Sequence, residues 1–109
     1  MTHFPAHMSR TEQTIVNKLI TKIIKAGYQM QVRDPWEGDN FTEVTATRRT
    51  IQEQVAAMDE TALHVFEATP AGHRWIGYFL LVHGNEEDVV SDIGGRDDET
   101  LAKLDALDG

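Results

Sequence analysis

Hydrophobic positions cluster once along the chain. Trp75 to Val82 holds seven large apolar or aromatic side chains, interrupted only by Gly77. A run of that length fits a buried helix or a buried strand. Its aromatic and β-branched residues and its flanking turn residues favour strand. Gly84-Asn85 closes it, and Val89-Val90-Ser91-Asp92-Ile93 reads as a second, shorter strand. The two are expected to form a hairpin at the centre of a sheet. Strict alternation places Trp75, Phe79 and Leu81 on one face and Ile76, Tyr78, Leu80 and Val82 on the other. Both faces are then apolar, so the second needs cover, from the last helix or from a second copy of the chain.

Helical spacing appears before the run. Ile15, Val16, Leu19, Ile20, Ile23 and Ile24 form one stripe. Ser9-Arg-Thr-Glu12 has the spacing of a capping box ahead of it. Gly27 is placed to end that helix with a positive φ, and Tyr28 to fold back onto Ile23. Tyr28 to Arg33 then alternates, with Tyr28, Met30 and Val32 inward and Gln29, Gln31 and Arg33 on a wet face. Residues 34–40 are rich in turn formers, and Phe41 to Thr47 reads as a weaker strand. Thr50-Ile-Gln-Glu53 repeats the capping-box spacing ahead of a short helix on Ile51, Val55 and Met58. Ala62 to Ala68 is a third strand, turned by Pro70-Ala71-Gly72 into the apolar run. Gly94-Gly95 is expected to break the chain. Asp97 or Asp98 then caps a last helix that uses Leu101, Leu104 and Leu107.

The pattern predicts an α+β fold: an antiparallel sheet of four to five strands with helices packed against it, in the order α-β-β-α-β-β-β-α. Residues 1–8 show no periodicity and are expected to be a flexible tail, with 9–109 forming one domain. The absence of cysteine removes disulfides, thiolate nucleophiles and cysteine-based zinc sites, and fits a reducing cytoplasm. No leader-like apolar segment opens the chain, and no apolar run approaches the ~20 residues of a membrane span.

Charge sharpens the picture. The chain carries a net −8, and residues 84–109 hold nine acidic residues against Arg96 and Lys103, a net −7. Such a segment is either a solvated face or a docking surface for a basic partner. It argues against direct nucleic-acid binding, which needs clustered Lys and Arg. Glu86, Glu87, Asp88, Asp97, Asp98 and Glu99 sit in turn and cap positions, outside any core, and are the candidate partner-binding residues. Trp36, in the loop of turn formers, reads first as packing over the sheet edge and otherwise as an exposed anchor for a partner, and it joins the candidate partner-binding residues.

Catalytic templates are not met. Ser9 and Ser91 lie in no nucleophile-elbow pattern, and Gly94-Gly95 lacks the spacing and the lysine of a phosphate-binding loop. Arg48 and Arg49, just ahead of the second helix, read as a solvated pair bridging to carboxylates. His64 shares a strand face with Ala62 and Phe66 and reads as a core or edge histidine. His83, beside Glu86, Glu87 and Asp88, is the nearest approach to a metal constellation, but its spacing fits no ligand pattern. No catalytic, cofactor or metal residue is assigned, and an enzyme is the less favoured class.

The order Arg10-Thr-Glu-Gln-Thr-Ile-Val-Asn-Lys-Leu-Ile, Ala26-Gly27-Tyr28, Phe79-Leu-Leu-Val-His-Gly-Asn85 and Asp88-Val-Val-Ser-Asp92 resembles small proteins of unknown function encoded by bacteriophages and other bacterial mobile elements. The resemblance runs from about Arg10 to about Leu104. It implies a small cytoplasmic accessory protein and carries no cofactor, partner or catalytic residue with it. The expected function is binding of a protein partner through the acidic surface. One alternative is an acidic nucleic-acid mimic that inhibits a host DNA- or RNA-binding system. The other is a small enzyme or metal-binding domain at the 83–92 turn.

Overall fold

The computed structural model describes residues 9–33, 44–56, 60–82, 84 and 86–108. Over these residues the chain forms helix α1 (Arg10–Lys25), strand β1 (Gln29–Arg33), helix α2 (Arg48–Ala56), strands β2 (Glu60–Thr69), β3 (Gly72–Val82) and β4 (Val90–Gly95), and helix α3 (Asp98–Asp108). The strands make one antiparallel sheet in the order β1-β2-β3-β4. The fold is α+β, as the pattern predicts. In the 41–47 segment Thr45 pairs with Met30 as an antiparallel bridge, which extends the sheet past β1. Residues 41–43 of that predicted strand, Trp36, His83, Met58 and the N-terminal eight residues lie outside the described residues.

Both ends of α1 follow its sequence signals. Ser9 and Glu12 form the capping box: Glu12 N donates to Ser9 Oγ at 3.1 Å, and Ser9 N donates to Glu12 Oε1 at 3.1 Å. At the other end Gly27 adopts φ +88°. Gly27 N donates to Ile24 O at 3.0 Å and Tyr28 N to Ile23 O at 3.2 Å, the paired bonds of a Schellman ending. The apolar stripe turns Val16, Leu19, Ile20 and Ile23 into the core, with Ile15 and Ile24 at its margins.

A single core cluster joins Val16, Ile20 and Ile23 of α1, Ile51 and Val55 of α2 and Leu104 of α3 to Met30, Val32, Leu63, Val65, Phe79 and Leu81 of the sheet. All three helices therefore lie on one sheet face, and α3 does not cover the other. α2 begins at Arg48, two residues before the predicted cap. Ile51 N donates to Thr47 O, so Thr50 lies inside the first turn and makes no capping box. Thr47 is already positioned by its own amide bonding to Thr45 Oγ1, which lets the helix start earlier. Arg49 pairs with Glu53 one turn on, both exposed.

Two bulges change which side chains face the core. Phe66 pairs with Trp75 and Val65 with Gly77, so Ile76 is an extra residue on β3. Beyond it the alternation changes phase. Ile76 is buried in the core with Phe79 and Leu81, and Trp75 moves to the opposite face. The strict alternation expected for β3 fails at this point. On β4, Leu81 pairs with Val90 and Leu80 with Asp92, which leaves Ser91 as the extra residue.

Gly94 and Gly95 do not break the chain; they end β4, opposite Tyr78 and Gly77. Their value is close approach rather than flexibility. A Cβ on Gly77 would collide with Leu104 Cδ1, and one on Gly95 would run into the Leu101 backbone. Missing side chains on two paired residues let α3 lie directly on the sheet. Gln31 also departs from expectation. It is 8% exposed on the supposedly wet face, where Arg33 Nε donates to its Oε1 at 2.8 Å.

Candidate partner-binding surface

The acidic segment is built on β4 and α3. Glu86, Glu87 and Asp88 form a 3₁₀ turn leading into β4, and all three are exposed. Asp97, Asp98 and Glu99 stand at the start of α3, also exposed. The six residues of β4 separate the two groups by about 20 Å at a strand's rise per residue. Trp36 lies outside the described residues.

Within the second group Asp97 caps α3. Its Oδ1 accepts from Thr100 N at 2.8 Å, and Asp97 N donates to Thr100 Oγ1 at 3.0 Å. The Thr100 amide, which favours the charged form, holds the Asp97 carboxyl below the usual carboxylate range. Thr100, which makes this reciprocal bond, is buried, so α3 is set with that side inward. Thr100 and Leu104 face the core, Leu107 sits at its edge, and Leu101 is 36% exposed, not inward as its spacing suggests.

That setting of α3 leaves a groove that the segment-by-segment reading misses. A cleft of about 650 Å³ runs between β4 and α3. Val90, Ser91, Asp92 and Ile93 form one wall, and Asp98, Leu101, Ala102 and Asp105 the other. The α3 residues are spaced i, i+3, i+4, i+7, one face of a helix. Three aspartates line the groove and no basic residue does. Asp98 was a candidate from the sequence; Asp92 and Asp105 were not. The helix face that Asp98 and Asp105 share is legible in the spacing, but its place beside β4 depends on how α3 is set on the sheet.

Asp92 lines the groove along the strand but turns its carboxylate to the sheet face opposite α3. Tyr78 Oη donates to its Oδ2 at 3.2 Å, and Ile93 N donates to its Oδ1 at 2.9 Å. Burial first, and the adjacent Asp92 charge second, push the Tyr78 phenol above its ordinary pKa.

The opposite sheet face carries a second cluster around His64. Trp75 Nε1 donates to His64 Nδ1 at 2.9 Å, and the His64 ring sits 6.2 Å from Trp75 and 5.9 Å from Tyr78. Burial, with the Arg33 charge adding to it, lowers the His64 pKa to about 4. His64 is a satisfied, neutral histidine of the sheet.

Buried Glu12 ties α1 to the start of the acidic segment. Its Oε2 accepts from Gly84 N at 2.7 Å and from Glu86 N at 3.1 Å, while its side chain is fully buried. Capping-box spacing predicts the bond to Ser9 but gives no sign of these long-range partners.

Among the described residues no cluster of histidine and carboxylate groups is arranged to hold a metal ion, and no helix is long and apolar enough to cross a membrane. No family model matches the chain, and no curated protein or solved structure matches it either.

Proposed function

We propose that this chain is a small accessory protein, of the kind its resemblance to phage and mobile-element proteins implies, that acts by binding a protein partner along its β4–α3 side. The observation that carries this reading is the groove between β4 and α3, with Asp98 and Asp105 on its helix wall and no basic side chain among its lining residues. The exposed acids at both ends of β4 extend the same negative field along the segment. Such a field raises the association rate of a basic partner and loses range as salt shortens the screening length to about 8–10 Å. Direct nucleic-acid binding is disfavoured by the same charge.

Affinity capture from a bacterial lysate, followed by binding of the captured protein to purified chain, tests the reading. Replacing Glu86, Glu87, Asp97 and Asp98 with Gln and Asn, together with Asp105→Asn, is expected to keep the fold and slow association. A partner that binds this variant as fast as the parent at low salt overturns the acidic-surface reading. Self-association is the companion proposal, supported by Phe66, Trp75, Tyr78 and Leu80 on a sheet face that carries no helix among the described residues. A monomer by light scattering at high micromolar concentration overturns it.

A further inference from the structure

We infer that the partner contributes an extended basic segment that adds to the sheet as a new strand along β4, with alternate side chains lying in the β4–α3 groove; this rests on the partner-binding reading above. The first support is the open edge. β4 pairs with β3 alone among the named strands. Arg96 N donates to Ile76 O at 2.9 Å. By the two-residue alternation of an antiparallel ladder, the amides of Gly95 and Ile93 then point away from β3. Ile93 N does so and bonds the side chain of its neighbour Asp92, a bond that an added strand would replace. An outward row of amides and carbonyls is a template for strand addition.

The second support is the groove's position and chemistry. Its strand wall is β4 itself and its other wall is one face of α3, with no β3 residue between them. A segment paired on β4 would therefore pass directly over α3. Asp98 and Asp105 are seven residues apart on the helix, about 10.5 Å along its axis at 1.5 Å per residue. Leu101 and Ala102 lie between them. In a strand, side chains on one face recur every ~6.6 Å. A basic-x-apolar-x-basic pattern spans about 13 Å between its basic residues, close enough for flexible lysine or arginine side chains to reach both aspartates. Its central apolar residue then meets Leu101, the exposed large hydrophobic residue of this surface. Charge and spacing together select a basic, alternating segment over an acidic or uniformly apolar one.

The test uses the full chain and a synthetic peptide centred on Lys-Thr-Val-Thr-Lys, followed by fluorescence anisotropy at low ionic strength. Binding is expected, and it should weaken roughly tenfold when Asp98→Lys and Asp105→Lys are combined, since two exposed ion pairs are replaced by repulsion. Two N-methylated peptides probe the backbone without touching the protein. One carries the methyl groups on both threonines, the other on the valine and both lysines. Strand addition predicts that one of these sets abolishes binding and the other spares it, because only alternate amides face β4. No binding by the parent peptide, equal binding of both methylated peptides, or indifference to the charge reversal overturns the inference. The partner-binding reading is separated by competition. A captured partner that loses binding on the charge reversal but is not displaced by the peptide overturns strand addition and leaves that reading standing. A partner displaced by the parent peptide, and not by the inactive methylated one, supports both.

Discussion

Trp75 and His64 are joined by a hydrogen bond from Nε1 to Nδ1, 2.9 Å long, across neighbouring strands on the sheet face opposite the core. The bond requires a lone pair on Nδ1, so the imidazole is neutral with its proton on Nε2. Protonation would set two donors against each other.

The pH dependence follows with a definite sign. The folded pKa of His64, about 4, lies below the ordinary 6.5. In the window between them the unfolded chain binds a proton that the folded chain refuses, so the stabilising contribution is complete above about 6.5 and falls away as pH drops toward 4. Urea denaturation across that window should show a steeper loss for the parent than for His64→Gln, whose amide oxygen also accepts from the indole. Parallel profiles would show that His64 titrates normally.

Glu12 gives the largest single effect we expect. Glu12→Ala strands the amides of Gly84 and Glu86 as well as that of Ser9, and leaves a cavity. A loss of about 3 kcal/mol is the expected scale for breaking a buried charge-assisted network. Chemical denaturation reads the loss, and amide exchange should quicken at Gly84 and Glu86. A surface-like change below about 0.5 kcal/mol would contradict the buried role.

Gly77→Ala tests the seating of α3. The new methyl group meets Leu104 and the Gly94 carbonyl, so the helix has to lift or the sheet has to shift. Destabilisation by about 2 kcal/mol is expected, and Leu104→Ala in the same chain should recover part of it by removing the obstructing group. Additive losses in the double variant would argue against the contact.

Thr61→Val is expected to stabilise. The Thr61 side chain is fully buried and its hydroxyl has no hydrogen-bond partner among the described residues. An isosteric methyl group relieves the desolvation cost, a gain of about 1 kcal/mol readable as a rise in melting temperature.

The sequence makes local features plain where a signal acts over three to five residues. Ser9, Glu12, Gly27 and Tyr28 announce both ends of α1, and the alternation of Met30 and Val32 announces β1. What stays hidden is whatever depends on an added residue or a distant partner. Ile76 looks like an ordinary member of an alternating strand, and only pairing with β2 reveals it as the bulge that moves Trp75 across the sheet. Leu101 has the spacing of a core leucine, yet it lies outward while Thr100 and Leu104 face the core. Asp98 and Asp105 share the α3 face that lies beside β4, so the groove was visible as charge but not as shape. Gly94-Gly95 shows the converse error. Two glycines suggest a break, whereas here Gly95, with Gly77 opposite it, makes the floor on which α3 rests, and Gly94 lies against the Tyr78 ring.

The Glu12 bond to Gly84 spans 72 positions of the chain. On a ribosome, therefore, α1 emerges long before the amides that lock its first turn. β3, which pairs with both β2 and β4, is not complete until Val82. Nascent chains shorter than that have a helix whose apolar stripe faces no finished sheet, and a buried-type carboxylate that is still wet. Closing so long a loop early would be entropically unfavourable. This domain is thus expected to assemble as one unit only after Glu86 has been made, with the Glu12 contact among the last to form.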